Sequence, residues 1–215
     1  MAVRFVTIEP RCRTMRRFLL LMTGLLMTTM VQAGNGLSPR PGEAVIVLGG
    51  GCFWCLEAVY EELKGVREAV SGYAGGEVEN PTYKQVTTGG TGHAEVVAVY
   101  YDPAQMQLSD LLDVYYAIHD PTTPNRQGND VGPQYRSIAF YGDTDQKAAI
   151  DAAIARAGNR WSGRILTEVE PLTQFYAAED YHQQYYELNG SQPYCSLVIA
   201  PKIAKFRKEF GSLRK

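Results

Sequence analysis

Residues 44–65 constrain the possible folds more than any other part of this sequence. They begin with AVIVLGG, a short apolar run of the type that forms a buried strand, and glycines at 49–51 end the run. From Cys52 onward, apolar residues recur at helical spacing, charged residues fill the opposite face, and Gly65 supplies a helix stop. The segment therefore predicts a strand followed at once by a helix that Cys52 opens.

The later segments extend this unit into a β-α-β-β-α-β order between residues 44 and 141. The predicted strands are 66–73, 94–102, 137–143 and 165–172, and the predicted helices are 109–120, capped by Ser109, 144–158 and 177–189. This order predicts an α+β fold, a two-layer ferredoxin-like (split βαβ) sandwich with additional helices and long loops.

The N-terminal residues have the layout of a secretory signal peptide. A basic stretch that includes Arg16 and Arg17 precedes an apolar run at 18–30, and small residues at Val31 and Ala33 follow. A spanning helix needs about 20 apolar residues, and this run is shorter. We expect cleavage after Ala33, with an uncleaved anchor as the alternative, and a periplasmic or secreted protein without a membrane segment in its mature form.

The remainder of the chain has the composition of one globular domain. About 45% of the 215 residues are hydrophobic, charge is mixed, and there is no long polar run. The sequence therefore divides into a signal peptide at 1–33, a linker at 34–43 and a single domain at 44–215, which we expect to be a monomer.

Charge and cysteine content narrow the class of function. Loss of residues 1–33 removes five arginines and Glu9 and leaves 16 basic and 22 acidic residues, which argues against a nucleic-acid partner. It also removes Cys12, so the exported chain keeps Cys52, Cys55 and Cys195. An odd number of cysteines outside the cytosol leaves a free or cycling thiol, which indicates chemistry rather than a disulfide framework.

Cys52 has the sequence surroundings of a reactive cysteine. The free N–H groups and positive dipole end of a helix start lower a cysteine pKa, and the preceding glycines leave the sulfur open to a substrate. The alternatives are that Cys52 and Cys55 are small buried hydrophobic residues or half of a zinc site. None of His93, His119 and His182 is spaced to complete such a site, so no metal is predicted.

Aromatic and acidic side chains accompany this cysteine. Phe53 and Trp54 would line a pocket for a small apolar group such as a methyl, or they are core residues of the helix. Glu95 is the only charged residue of AEVVAVYY, which is apolar on both faces. It is either a buried carboxyl with a raised pKa, able to donate a proton, or a strand-end glutamate facing water.

Two connections, 74–93 and 120–136, are too long for simple turns, and ordered loops of this length are usually functional. Tyr83 lies in the first loop, and Asp130 and Tyr135 lie in the second. These residues either reach the pocket or belong to solvated turns.

Several motifs occur along the chain in a defined order. They are GGGCFWCLEAVYEELKGV, GYAGG, NPTY, TGHAEVV, IHDPTTPNRQGNDVGPQYRS, FYAAEDYHQQY and PYCSLVIAPK. Together they resemble the peptide methionine sulfoxide reductase family of type A, over essentially the whole mature chain. A CxxC pair alone would be a weak signal, whereas the ordered set is specific.

The resemblance implies an enzyme that reduces the S epimer of methionine sulfoxide, free or in proteins, to methionine. Cys52 would attack the sulfoxide sulfur, and Glu95 would protonate the sulfoxide oxygen. Tyr83 and Tyr135 would hydrogen-bond that oxygen. On the same resemblance, Phe53 and Trp54 would hold the substrate methyl group, and Asp130 would complete the polar side of the site.

The resemblance also implies how the enzyme is recycled. Cys52 becomes a sulfenic acid, a second cysteine condenses with it to a disulfide, and a thioredoxin-like protein reduces the disulfide without a metal or organic cofactor. Cys195 matches a position where many members carry the resolving thiol. Cys55, where many members have glycine, is the rival because a CxxC pair at a helix start can itself close a disulfide.

Two other functions remain as alternatives from the residues alone. An exported thiol–disulfide oxidoreductase or isomerase would use the Cys52–Cys55 pair directly on other proteins. A peptide-binding module without catalysis would not need a reactive Cys52.

Overall fold

The computed structural model describes Met1 and residues 35–215, so the signal peptide predicted at 1–33 lies, apart from Met1, outside the described residues. Residues 35–215 are built around one six-stranded sheet. The strands are β1 (Ala44–Gly50), β2 (Val66–Ala74), β3 (Ala94–Tyr101), β4 (Arg126–Gln127), β5 (Asp130–Val131), β6 (Ser137–Tyr141), β7 (Glu168–Pro171) and β8 (Phe175–Ala177). The helices are α1 (Phe53–Tyr60), α2 (Tyr83–Val86), α3 (Leu108–Ile118), α4 (Thr144–Ala157), α5 (Tyr185–Asn189) and α6 (Ala200–Glu209).

The sheet order confirms the predicted ferredoxin-like topology. Its strands run in the order β7-β6-β1-β3-β2-β8, and β4 pairs separately with β5. In the central four strands, β6-β1-β3-β2, each strand is antiparallel to its neighbours. α1 and α3 connect these strands as a split βαβ unit. β7 adds a parallel strand beside β6, and β8 adds an antiparallel strand beside β2.

The alternation of side chains along β3 divides the core into two layers. Val97, Val99 and Tyr101 belong to the larger cluster, which includes the buried residues of α1, α3 and α6. Val96 and Ala98 point to the other face, where a smaller cluster contains Phe140 and Phe175. Because Glu95 has the same parity as Val97, its side chain lies on the face that α1 covers.

Residues 35–43, the predicted linker, have no regular structure but lie against the sheet. The Phe175 N–H donates to the Asn35 carbonyl oxygen at 2.8 Å, and the Ser38 N–H donates to the Tyr100 hydroxyl at 3.3 Å. Leu37 packs on the smaller cluster. Among the described residues, no helix combines the length and apolar character needed to cross a bilayer.

Several predicted element boundaries are wrong. α1 ends at Tyr60 rather than near Gly65, because the Lys64 N–H donates to the Leu213 carbonyl oxygen at 2.8 Å instead of extending the helix. α3 begins at Leu108, and its N-cap is Gln107, not Ser109.

The prediction of one helix at 177–189 is also wrong, because only the 3-10 turn Asp180–His182 and α5 form there. Gln184, with φ +52°, separates them. The sequence-based reading omitted β8 and α6.

Candidate active site

A glycine turn carries the chain from β1 into α1 and positions Cys52. Gly51 has φ +92°, and a Cβ there would lie 2.6 Å from Gln127 Cγ, so a larger residue would be both strained and crowded. Cys52 is the N-cap residue of α1, with φ −58° and ψ 126°, and its backbone is therefore outside the first helical turn. Its exposed fraction is 7%, which leaves the thiol narrowly accessible.

Strand β3 places Glu95 beside the start of α1. The Glu95 side chain is 1% exposed, and its Oε2 accepts a hydrogen bond from the Phe53 N–H at 3.2 Å. Burial raises the pKa of Glu95 to about 8. This carboxyl is therefore largely protonated at neutral pH, and its other oxygen makes no hydrogen bond to the described residues, so it is free to carry the proton.

The thiols of Cys52 and Cys55 form a coupled pair. Both are free, and each thiol shifts the pKa of the other. Burial raises the pKa of Cys52, whereas the interaction with Cys52 lowers the pKa of Cys55 to about 7. The expectation that the helix start lowers the pKa of Cys52 is wrong, because burial and the neighbouring Cys55 and Glu95 raise it, and the two thiols titrate as one pair that carries a single negative charge once it ionises.

The two aromatic residues that follow Cys52 differ in accessibility. Phe53 is fully buried, with its ring centroid 5.0 Å from that of His182 and 6.3 Å from that of Tyr83. Trp54 is half-buried, and the Tyr185 ring stacks on it with 3.6 Å between centroids and 7° between planes. Trp54 is therefore the more accessible of the two rings, and Phe53 supports it from the core.

The two long loops deliver Tyr83 and Tyr135 to the same region. Tyr83 opens α2, and Tyr135 ends the 3-10 turn Pro133–Tyr135. Burial and then the nearby Glu95 charge raise the pKa of Tyr83 to about 12 and also raise the pKa of Tyr135. Both hydroxyls remain protonated hydrogen-bond donors close to Glu95 and Cys52.

Asp130 connects the second long loop to a residue that the sequence analysis missed. Its Oδ2 accepts a hydrogen bond from the Tyr194 hydroxyl at 2.7 Å, and burial and the charge of Cys52 raise the pKa of Tyr194. Asp130 and Tyr194 line a cleft of about 500 Å³ that also contains Leu197 and Lys202. The position of Tyr194 directly before Cys195 is the signal that could have identified it.

Glu179 and His182 were also missed. Glu179 accepts hydrogen bonds from the Tyr73 hydroxyl and the Tyr83 N–H, both at 2.9 Å, and so fixes α2. The His182 ring is 1% exposed and lies 4.3 Å from the Tyr83 ring, centroid to centroid. The dense aromatic and acidic residues of FYAAEDYHQQY are the sequence feature that could have indicated Glu179 and His182.

Cys195 lies deeper than the other two thiols. It is fully buried at the start of a π-helical turn, Cys195–Ile199, and is a free thiol. Burial raises the pKa of Cys195, and the charge of Cys55 raises it further.

His119 has a structural role. His119 is buried, its Nδ1 lies 2.6 Å from the Tyr115 carbonyl oxygen, and its Nε2 lies 2.8 Å from Ser137 Oγ. Burial lowers the pKa of His119 to about 3, so it is neutral. Within residues 35–215, no group of three or more His, Cys, Asp or Glu side chains could hold a metal ion.

Comparison with known proteins identifies related sequences. The family model described as peptide methionine sulfoxide reductase matches residues 44–214. Peptide methionine sulfoxide reductase MsrA 1 of Rhodopirellula baltica is 50% identical over 172 residues, which cover 80% of this chain and 90% of that protein. MsrA of Chromobacterium violaceum is 52% identical and is covered over 96% of its length by 78% of this chain.

Solved structures show the same fold. Mxr1 of Saccharomyces cerevisiae in reduced form is 35% identical, with a TM-score of 0.68 over 74% of this chain and 92% of that one. Methionine sulfoxide reductase A of Corynebacterium diphtheriae is 37% identical, with a TM-score of 0.64 over 70% of this chain and 77% of that one. These matches do not support the alternative of an exported thiol–disulfide oxidoreductase.

Proposed function

Because this chain belongs to the peptide methionine sulfoxide reductase family and reduces the S epimer of methionine sulfoxide to methionine, we propose that Cys52 is its nucleophile and Glu95 its acid. The observation that carries this assignment is the position of Glu95, buried and hydrogen-bonded to the N–H of the residue after Cys52. The mature enzyme acts as a monomer in this proposal.

The first step uses the shared charge of the thiol pair. The Cys52 sulfur attacks the sulfoxide sulfur while its proton is held by Cys55, and the Glu95 carboxyl delivers a proton to the sulfoxide oxygen. In this adduct the protonated oxygen passes to the Cys52 sulfur: the substrate S–O bond and the S–S bond between Cys52 and the substrate break, a Cys52 S–O bond forms, and methionine departs, which leaves Cys52 as a sulfenic acid. The Tyr83 and Tyr135 hydroxyls donate hydrogen bonds to the oxygen as its negative charge develops.

Trp54 holds the methyl group of the substrate, with Phe53 behind it, and Asp130 with Tyr194 forms the polar wall. A half-buried indole beside a reactive sulfur offers apolar contact to a small group. The chemistry of sulfur and carboxyl groups in this scheme needs no metal or organic cofactor.

Cys55 is the first resolving thiol in this proposal. Its thiol titrates together with that of Cys52, its N–H donates to the Cys52 carbonyl oxygen at 3.1 Å, and the N-cap conformation of Cys52 keeps that residue out of the helical turn that Cys55 occupies. Attack of the Cys55 thiol on the Cys52 sulfenic acid forms the disulfide and releases water. The Cys195 thiol then attacks the Cys55 sulfur, which forms a Cys55–Cys195 disulfide and releases Cys52 as a thiol. A thioredoxin-like dithiol reduces the new disulfide.

Exposed apolar residues around the site support protein-bound substrates and a protein reductant. In the stretch 35–215, the large apolar side chains with high exposure are Val131, Tyr181, Leu188 and Leu197. Each lies within three residues of Asp130, His182, Tyr185 or Tyr194. Clustered apolar side chains of this kind mark protein-interaction surfaces.

A mass-spectrometric experiment tests the order of the cysteines. The Cys55→Ser and Cys195→Ser variants are each allowed one turnover without reductant, with Cys52→Ser as the inactive reference. We expect Cys195→Ser to contain a Cys52–Cys55 disulfide and Cys55→Ser to accumulate the sulfenic acid. A Cys52–Cys195 disulfide that forms at the wild-type rate in Cys55→Ser would overturn the proposed order.

Export is proposed from the sequence pattern alone. The basic start, the apolar run at 18–30 and the small residues before Gly34 support removal of residues 1–33 and activity in the periplasm or outside the cell. N-terminal sequencing of protein from a periplasmic or secreted fraction should begin near Gly34. A full-length cytosolic chain would contradict it.

A further inference from the structure

Glu57 is a buried acidic residue that the mechanism above does not use. It lies on α1 between the site and the acidic surface of that helix, and it is 1% exposed. Such a carboxylate is costly to bury unless it has partners, and its partners lie on another element. Its Oε1 accepts a hydrogen bond from the Gln184 N–H at 3.0 Å, and its Oε2 accepts one from the Tyr185 N–H at 3.3 Å.

These two hydrogen bonds are linked to the proposed substrate pocket through the Tyr185 side chain. Tyr185 is the residue whose ring stacks on Trp54 at 3.6 Å. Gln184 has φ +52°, a conformation that residues other than glycine adopt at a cost, so this backbone needs a fixed partner. Glu57 supplies that partner from the same helix that carries Trp54.

We propose that Glu57 is a positioning residue, which fixes the backbone of Gln184 and Tyr185 through both carboxylate oxygens and thereby holds the Tyr185 ring against Trp54. We call this set of two hydrogen bonds the Glu57 bridge. The inference rests on the proposed role of Trp54 in holding the substrate methyl group. It concerns how firmly substrate is held rather than the chemical step.

The bridge requires the ionised carboxylate. A carboxylate offers two full acceptors, whereas a protonated carboxyl offers only a weaker acceptor at its hydroxyl oxygen and an amide places an NH₂ donor there, so one of the two hydrogen bonds is weakened or lost. Burial raises the pKa of Glu57 to about 7, although the two backbone hydrogen bonds oppose this shift. The bridge therefore forms fully only as the pH rises through about 7.

The charged groups that surround Glu57 are acidic. The two clefts beside it are lined by Glu61 and Glu62, which follow α1, by Glu187 on α5, by Glu68 on β2 and by Asp180. The nearby arginines pair with other carboxylates, Arg67 with Glu43 and Glu68, and Arg207 and Arg214 with Glu62. No cation among the described residues pairs with Glu57, so its charge depends on the two N–H donors and, to a smaller extent, on the Ser71 hydroxyl of β2.

The chain offers a matched control in Glu61. This glutamate also lies beside α1, burial also raises its pKa, and it accepts a backbone hydrogen bond from the Ala69 N–H at 2.6 Å. That contact leads to β2 and not to the pocket. Glu57→Gln and Glu61→Gln thus make the same chemical change, and only the first removes the bridge.

The first test is independent of catalysis. Trp54 and Trp161 are the two tryptophans of the chain, so a Trp161→Phe, Cys55→Ser background reports on Trp54 without the Cys55 titration. We expect Trp54 fluorescence to show a transition with a midpoint near pH 7, lost in Glu57→Gln and kept in Glu61→Gln. A transition that persists in Glu57→Gln, or disappears equally in both variants, would overturn the proposal.

The second test separates substrate holding from chemistry. In protein that keeps Cys52, Cys55 and Cys195, Glu57→Gln should raise the substrate concentration that gives the half-maximal single-turnover rate about 3–10-fold. The rate at saturating substrate should change less than about twofold. Tyr185→Ala should show the same increase, and Glu57→Gln added to it should have no further effect. A fall in the saturated rate alone would refute Glu57 as a positioning residue, whereas inactivity of Cys52 or Glu95 variants bears only on the proposed function.

Hydrogen exchange covers the case in which Glu57→Gln lowers overall stability. Exchange in the peptide at 180–190 should speed up in Glu57→Gln relative to Glu61→Gln, while exchange in β1 stays unchanged. Equal acceleration in both segments would indicate general destabilisation and would count against the bridge.

Discussion

Glu95 on β3 and Glu57 on α1 are equally buried, but their proposed roles are opposite. Each side chain is 1% exposed, and burial raises the pKa of both, of Glu95 to about 8 and of Glu57 to about 7. Glu95 accepts one backbone hydrogen bond at one oxygen, whereas Glu57 accepts one at each oxygen. Burial alone therefore does not define a proton donor; the number of donors facing the carboxyl decides whether it retains a proton or needs its charge.

The largest expected effect comes from removing the proton of Glu95. Glu95→Gln keeps the hydrogen bond from the Phe53 N–H but has no acidic proton, so the single-turnover rate of methionine formation should fall by about 10²–10⁴-fold. Glu57→Gln, with the same change at the other site, should leave the saturated rate within about twofold. A Glu95→Gln enzyme within a few-fold of wild type would make Glu95 a bystander.

Glu95→Gln, which should lower the rate, should raise the stability of the folded protein. The pKa of Glu95 is raised from 4.5 to about 8, so its protonated form contributes stability below about pH 4.5 that is lost as the pH rises to about 8. A pKa raised to this extent corresponds to on the order of 5 kcal/mol, so Glu95→Gln should gain free energy of unfolding relative to wild type between pH 5 and 9. Urea titrations across this range measure the difference, and parallel pH profiles would contradict it.

The pH dependence of the chemical step should be a narrow bell. The rate should rise through about pH 7 as the thiol pair ionises and fall above about pH 8 as Glu95 loses its proton, by about tenfold per pH unit at the limits. Single-turnover rates at saturating substrate report it. The alkaline limb should be absent in Glu95→Gln and present in Glu57→Gln.

The tyrosines should give the smallest effects. Tyr83→Phe and Tyr135→Phe should each lower the single-turnover rate less than about tenfold, because the remaining hydroxyl and Glu95 still bind the oxygen. The double variant should lose more than the product of the two single losses. Simple additivity would show that the two hydroxyls act independently.

The part of the site that could be predicted from the sequence lies on regular elements. The glycine turn, Cys52 and the facing of Glu95 follow from periods of 2 and 3.6, and these local patterns survive folding. The ferredoxin-like order followed in the same way. Tyr83, Asp130 and Tyr135 could be indicated only by loop length, since nothing local fixes where a loop residue points.

The part that could not be predicted depends on distant contacts. Tyr185 and Tyr194 reach the site because Gln184 leaves helical geometry and because Asp130 binds the Tyr194 hydroxyl across 64 residues. The pKa of Cys52 is set by burial under such segments, and a helix-start argument alone has the wrong sign. Hydrogen bonds between α1 and α5 leave no period in the sequence.

The central place of β1 in the sheet has a mechanical consequence for the catalytic cycle. β1 is hydrogen-bonded on both edges, to β3 and β6, and Cys52 follows it after a single glycine, whereas Cys195 lies on a π-helical turn outside the sheet. Disulfide exchange requires one sulfur to approach another, and the approach will be made by the segment whose displacement breaks fewer backbone hydrogen bonds. We therefore expect the Cys52 sulfur, which meets the substrate in the proposed mechanism, to stay fixed, and the Cys195 sulfur to be the one that moves.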